Sequence, residues 1–489
     1  MDRIDRYRWR WLALAAVLVA EVMDLLDATV VGIAAPSIRD ELGGTGATIQ
    51  WIAAAYTLAF AVGLITGGRL GDLYGRRRMF LLGLTGFVVA SALCGLAVSP
   101  GMLIAFRVVQ GLFGAMLIPQ GFGIIRTTFD DDEIGTAYGA FGPTIGLAAV
   151  GGPILAGALI AWDLAGAGWR TIFLINVPVG ILGLALALAL ATLPESRSED
   201  GPRPDPLGVL LVSAGLTMLV FPLVQGRELG WPVWSLLLMG ASVPVLAAFA
   251  VHQLRRRRAG RSPLVEPALF RSGAFTGGLV VALVLFAGMT GMVFAFGLYL
   301  QVGLGYSPLR AGLTQAPWAL GIAVGAALSG AVLGRRFGRR VLQAGAVVAA
   351  AGIGWLMLTV GSTGAAMTAW DPAPALVVCG LGIGLLLSPL FDIVLAGVAL
   401  PMVGSASGVL NANQQLGAAA GVAVLGTVFF SSFDSGDPLL GVQWVLGTTA
   451  GLVLLAGALS FLLPRFARDT DGRPSAVEPT PHPTEPATP

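Results

Sequence analysis

The chain is a succession of long apolar runs separated by short polar ones. A bilayer core about 30 Å thick asks for roughly 20 apolar residues per helix. Fourteen such runs occur, at 11–35, 49–67, 79–98, 101–122, 135–161, 171–193, 207–225, 231–253, 273–300, 309–333, 341–361, 373–396, 405–430 and 442–463. Barrel strands would instead alternate in strips of about ten residues, and stretches such as LLVSAGLTMLVFPLV do not. Arg3, Arg6, Arg8 and Arg10 ahead of the first run resemble the start of a signal peptide. Glu21, Asp24 and Asp27 interrupt that run, however, and no clear small-residue cleavage site follows. An uncleaved first span is expected.

Composition narrows the class. Of 489 residues, 56% are apolar before 69 glycines are counted, and only 11% are charged. A soluble domain carries about 25% charged residues, and no soluble fold can hide this much apolar surface. The expected fold class is an all-α polytopic membrane protein. All 29 basic residues are arginines. With a cytoplasmic N-terminus, every one except Arg39, Arg107, Arg170, Arg227 and Arg310 falls on the cytoplasmic side, as the positive-inside rule requires. Both termini are therefore expected in the cytoplasm, and the chain in the inner (cytoplasmic) membrane.

Two longer polar connections, 194–206 and 255–272, bracket spans 7 and 8 and leave six spans on either side. The expected organisation is a six-helix bundle over 1–195, a central connection with two helices over 196–270, a second six-helix bundle over 271–466, and a Pro/Thr-rich disordered cytoplasmic tail over 467–489. A repeat links the halves. GDLYGRRR after span 2 returns as GRRFGRR after span 10, aligning Gly71, Gly75, Arg76 and Arg77 with Gly334, Gly338, Arg339 and Arg340. Parallel six-helix repeats are one way in which transporters build alternating access.

Some chemistry is excluded at once. Cys94 and Cys379 lie inside apolar runs without a CxxC pattern, so neither a disulfide framework nor a metal site is expected. His252 and His482 stand at a helix end and in the tail, which leaves no histidine relay. A Walker loop needs lysine, and the chain has none. Uphill transport would have to draw on an ion gradient, where one charge crossing 100 mV yields about 2.3 kcal/mol.

Charges at mid-membrane are expensive and point to function. Glu21, Asp24 and Asp27 fall near the middle of span 1, with adjacent members sharing a face while Glu21 and Asp27 diverge. Such a group suits a proton carrier; a single acid satisfied by an arginine or by backbone is the structural alternative. Arg107 lies about two turns inside span 4 with Gln110 nearby, either as part of the same chemistry or snorkelling to the outer interface. Asn411, Asn413, Gln414 and Gln415 in span 13 can bond a substrate or bind helices together. Asp392 either caps the inner end of span 12 or faces a vestibule. Met289, Met292, Phe294, Phe296 and Tyr299 in span 9 either line a lipophilic pocket or pack. In the loop after span 2, GRLGDLYGRRR, Asp72 can accept from a helix end or from the arginines and so latch one conformer.

That loop resembles the signature of the major facilitator superfamily (GxLaDrxGrrxxl), departing mainly at Leu73. Three further segments resemble its fourteen-helix drug:proton antiporter branch. LDATVVGIAAPSI from Leu26 is similar to LDxTVVNVALPxI, with Gly32 and Ala35 at variant positions. RVVQGLFGA from Arg107 is similar to RxxQGxgaa. The stretch from Gly139 to Gly157 resembles the antiporter motif, keeping Gly139, Gly152, Pro153 and Gly157 while Ala148 and Ala156 replace glycines. WRTIFLINVPVG from Trp169 resembles the start of span 6 in the same branch.

The resemblance implies two six-helix bundles plus two extra helices. It implies proton coupling through Asp27 and Arg107, with Asp24 and Glu21 extending the acidic face of span 1, and a cytoplasmic gate of Gly68, Asp72, Gly75, Arg76 and Arg77; the polar residues Gln110, Asn411, Gln414 and Asp392 are the candidate substrate contacts. The implied activity is proton-driven export of lipophilic, cationic or neutral drug-like or antibiotic molecules by a monomer. Its partners would be substrate, protons and bilayer, with no cofactor, metal or nucleic acid. Proton-linked movement of another metabolite or amphiphile is the alternative within transport. A membrane sensor or enzyme is a distant third, lacking an output domain or a nucleophile–base pair.

Overall fold

A recurring local rule starts these helices. Ser99-Pro100, Asp205-Pro206, Ser307-Pro308 and Asp437-Pro438 each place a side-chain acceptor at the cap and proline in the first turn. The missing proline N–H costs nothing there, and its fixed φ is already helical. The computed structural model describes residues 8–129, 133, 141–187, 205–226, 229–396, 398, 403–433 and 436–465, less some individual side chains. Gly139 and the tail 467–489 lie outside that set.

In chain order the main helices are α1 (Arg10–Leu42), α2 (Gly46–Tyr74), α3 (Arg76–Gly95), α4 (Pro100–Thr128), α5 (Phe141–Trp162) and α6 (Asn176–Ala187). They continue with α7 (Pro206–Gln225), α8 (Val233–Arg258), α9 (Gly273–Leu298), α10 (Pro308–Leu328), α11 (Arg339–Thr363), α12 (Ala373–Ala396), α13 (Val403–Phe433) and α14 (Pro438–Leu459). Twelve stretches among the described residues are long and apolar enough to cross a membrane. They fall on α2–α4 and α6–α14.

The pairing of helices repeats. In the first half α1 packs on α4, α5 and α6, α2 on α4, and α3 on α4 and α6. Adding eight to each number names packed pairs again: α9 on α12, α13 and α14, α10 on α12, and α11 on α12 and α14. The two seams between halves, α2 against α13 and α5 against α10, exchange under the same shift. Glycines let these backbones touch, the usual device where lipid supplies no hydrophobic drive between helices. A Cβ on Gly67 of α2 would stand 2.2 Å from the Ala115 carbonyl of α4. One on Gly325 of α10 would stand 2.2 Å from the Leu381 carbonyl of α12.

Helices α7 and α8 lie against one flank. α7 packs on α8, α2 and α13, whereas α8 packs on α7 and the turn before α9. At one end the indole of Trp51 on α2 donates to Gln225 of α7 at 3.1 Å. At the other end Asp205 is buried as the α7 cap, accepting from Gly208 N–H at 3.0 Å, His252 at 2.8 Å and Gln253 at 2.9 Å. Gln253 in turn accepts from the Leu264 N–H at 2.5 Å, so this clasp ties α7, α8 and the connection to α9 together.

Candidate functional site

The sharpest polar feature is a buried cluster where α1, α2, α4 and α6 meet. Arg107 on α4 forms an ion pair with Asp27 on α1, and both are 1% exposed. The same guanidinium donates to Gln110 Oε1 at 2.9 Å and to the Ile52 carbonyl of α2 at 3.2 Å. Gln110 returns a donor to Asp27 Oδ1 at 2.8 Å. From α6, Asn176 reaches Asp27 Oδ1 at 3.2 Å and Ser91 Oγ at 2.9 Å, and Ser91 closes the chain on the Phe173 carbonyl at 3.0 Å. A buried ion pair is tolerable only when its remaining lone pairs and protons are satisfied. This one meets that condition.

Asp24, one turn earlier, is also buried but has a different neighbour: the Tyr56 hydroxyl donates to it. The Tyr56 ring lies under the Arg107 guanidinium, with 4.1 Å from Cζ to the ring centroid. Glu21 is half-buried on the same helix. The structure thus brings together Asp24, Asp27, Arg107 and Gln110. Gln110 is wholly enclosed and spends its amide on the ion pair. Tyr56, Asn176 and Ser91 escaped the sequence reading, although Asn176 stands in the WRTIFLINVPVG segment.

The loop between α2 and α3 is positioned by α4. Gly75 joins the two helices at φ +101°, and its counterpart Gly338 has φ +53°, so both copies turn through backbone that favours glycine. A Cβ on Gly71 would collide with Gln120 Oε1 at 1.8 Å, while Gln120 donates to the Gly67 carbonyl at 2.7 Å. A Cβ on Gly68 would stand 3.7 Å from Pro119, and one on Gly123 of α4 would overlap the Arg76 guanidinium. The side chain of Asp72 lies outside the described residues, and Arg77 is half-buried.

On α5, Gly157 meets the backbone of α10: a Cβ there would be 2.4 Å from Leu309 Cα. Reciprocally, one on Gly312 of α10 would be 2.2 Å from the Pro153 carbonyl. Gly152 is buried on the same helix. At the other seam, a Cβ on Gly426 of α13 would be 2.4 Å from Gln50 Nε2, and one on Gly46 of α2 would be 3.2 Å from the Phe430 ring. Every one of these contacts between halves lies toward the ends remote from the arginine loops.

The remaining candidates stand apart. Asn411 and Gln414 are half-buried on α13 and bond each other at 3.2 Å, while Asn413 ties α13 to the Leu279 carbonyl of α9 at 2.9 Å. Asp392 is exposed near the end of α12. Met292, Phe294, Phe296 and Tyr299 are buried and Met289 packs against their cluster, with Phe296 and Tyr299 stacked. Among the described residues no group of three or more His, Cys, Asp or Glu is placed to hold a metal ion.

A long helical chain with paired halves and a buried charge cluster is the anatomy of a membrane transporter. The profile of the Major Facilitator Superfamily matches residues 17–422. The chain belongs to that superfamily, whose members carry small molecules across membranes. It is 52% identical to a probable actinorhodin transporter of Streptomyces coelicolor, over 88% of this chain and 74% of that protein. It is 35% identical to the tetracenomycin C resistance and export protein of Streptomyces glaucescens, over 86% and 76%. Its fold superposes on a bacterial homologue of the human lysosomal transporter Spinster with TM-score 0.64 at 17% identity, covering 93% of this chain and 97% of that one.

Proposed function

We propose that the protein is a proton-driven exporter of lipophilic, drug-like or antibiotic molecules. The observation that carries this reading is the Asp24–Asp27–Arg107 cluster, ionisable groups buried between the helices of a superfamily chain. The relatives named for actinorhodin transport and for tetracenomycin C resistance and export point to antibiotic-type substrates. The acids favour weakly basic or cationic ones.

The reading includes fourteen spans. α1 with 33 residues and α5 with 22 are about 50 Å and 33 Å long at 1.5 Å per residue, enough to cross the core. Two six-helix bundles, 1–195 and 271–466, flank the pair in 196–270, and both termini face the cytoplasm. The close glycine contacts between halves at Gly157, Gly312 and Gly426, on the outer side in this reading, fit an inward-open state of a monomer. Gly68, Asp72, Gly75, Arg76 and Arg77 would close the inner side, and the seam around Gly139, Gly152, Pro153 and Gly157 the outer one. Asn411, Gln414 and Asp392 would meet substrate entering from the inner side. A proton entering from outside and substrate from inside then compete, since only differential affinity for two conformers drives the cycle.

Inverted vesicles energised with a pH gradient test this. Ethidium or actinorhodin should accumulate inside, and nigericin should abolish the accumulation. Transport insensitive to the pH gradient would overturn the reading.

A further inference from the structure

The acids of α1 do not share one environment, and the difference assigns them different work. The Asp27 carboxylate is fully engaged: Arg107 supplies the opposite charge, while Gln110 and Asn176 donate to its other oxygen at 2.8 and 3.2 Å. A proton placed there would have to break an ion pair and leave Arg107 buried without its counter-ion. Asp24 is equally buried, yet its hydrogen bond comes from a neutral phenol, Tyr56. The titratable or charged groups facing it are Glu21 and Asp27 on its own helix, Tyr56 on α2 and Arg107 on α4. A buried carboxylate needs a compensating charge or several donors, and Arg107 is already committed to Asp27.

We infer that Asp24 is the acid that takes up and gives off the transported proton, with Tyr56 as its positioning residue, and that Asp27 stays ionised as the fixed partner of Arg107. This rests on the reading of the protein as a proton-driven exporter. In the charged state the Tyr56 hydroxyl donates to the carboxylate. When a proton adds to Asp24, the new O–H can donate to the Tyr56 oxygen, and the phenol's own proton is freed to seek another acceptor. No covalent bond other than O–H is made or broken. Tyr56 is well placed to pass this change on. Its ring lies against Arg107, the Gly111 backbone of α4 abuts its carbonyl, and its helix carries Gln50 and Gly46 into the seam with α13. The proton on α1 is thereby read by the helix that forms part of the contact between halves.

Infrared spectroscopy of the purified full-length protein tests the assignment without needing the substrate. In a Glu21→Gln background, acidification should raise a protonated-carboxyl C=O band from the membrane interior. Asp24→Asn should reduce that band at least tenfold, and Asp27→Asn should keep it with its midpoint moved toward acid, because the freed Arg107 then favours the charged form of Asp24. Tyr56→Phe, which keeps the ring over Arg107, should retain the band, alter its frequency and move its midpoint by about one pH unit, the size of one hydrogen bond. A band that survives in Asp24→Asn, or disappears in folded Asp27→Asn, overturns the proposal. So does a Tyr56→Phe midpoint identical to the parent, which remains decisive should Asp27→Asn fail to fold. Ethidium efflux under a pH gradient is measured alongside on wild type. Failure of efflux with the expected band pattern removes the exporter reading alone; efflux with the band assigned to Asp27 removes this inference alone.

Discussion

The two halves of the molecule share one set of helix pairings and differ in what those pairings enclose. In α1–α6 the helices meet around ionisable groups, Asp24, Asp27 and Arg107, with Asp27 and Arg107 linked through Gln110, Asn176 and Ser91. In α9–α14 the buried polar side chains among the described residues are amides and hydroxyls such as Gln301, Thr314, Gln315 and Thr449. The same architecture thus tolerates a charged centre in one half and a packed apolar one in the other. Backbone pairing is written in small residues, whereas the chemistry is written in a few side chains that the pairing brings together. Duplicate architecture does not mean duplicate function.

Removing charge should separate the halves most strongly. Arg107→Leu leaves Asp27 buried and uncompensated, a change that costs about 3–5 kcal/mol. Arg107→Leu with Asp27→Leu should recover most of that. In the other half, among the described residues, Gln315 bonds within its own helix to the Ala311 carbonyl at 3.5 Å, and Gln315→Leu should cost less than about 1.5 kcal/mol. Thermal unfolding of the purified variants measures all three. Equal losses for Arg107→Leu and Gln315→Leu would dissolve the contrast.

The two seams sharpen the comparison. At α5 against α10, a Cβ on Gly157 meets backbone, which cannot yield without moving a helix. At α2 against α13, a Cβ on Gly426 meets the far end of the Gln50 side chain, which can turn aside. Gly157→Ala should therefore cost about 1–3 kcal/mol and lower transport roughly tenfold or more, and Gly426→Ala distinctly less. Accessibility of an outer-end cysteine to an impermeant thiol reagent should rise in Gly157→Ala. Indistinguishable variants would show that the seams are not paired as described.

The smallest effect concerns the clasp that joins α7 and α8 to the second half. Burial alone would raise the Asp205 carboxyl, but hydrogen bonds from His252, Gln253 and the Gly208 N–H, with Arg256 close by, hold it below the usual carboxylate range. A depressed folded value stabilises above the unfolded value of about 3.9 and is lost as pH falls through the folded one. Wild type should lose this contribution only in strongly acid medium. Asp205→Asn should remove that acid dependence and cost about 1 kcal/mol at neutral pH. Tryptophan fluorescence during heating at several pH values reads both.

Local patterns determined much of this protein. Apolar runs located the helices because a bilayer demands length and apolarity of each span separately. The repeated glycine and arginine loop announced the halves, since a turn through positive φ needs glycine at the turning residue itself, as at Gly75 and Gly338. The acids of α1, Arg107 and Gln110 were legible because charge and amide are rare at mid-membrane. Other features had no local signature. Tyr56, Ser91 and Asn176 sit in runs where any apolar residue would span equally well. Gly312 and Gly426 are two glycines among 69 until α5 and α2 arrive beside them. Tertiary structure alone decided that Arg107 pairs with Asp27 and leaves Asp24 to a phenol, because the partner of a buried charge is chosen by which helices pack, and spacing along one helix does not contain that choice.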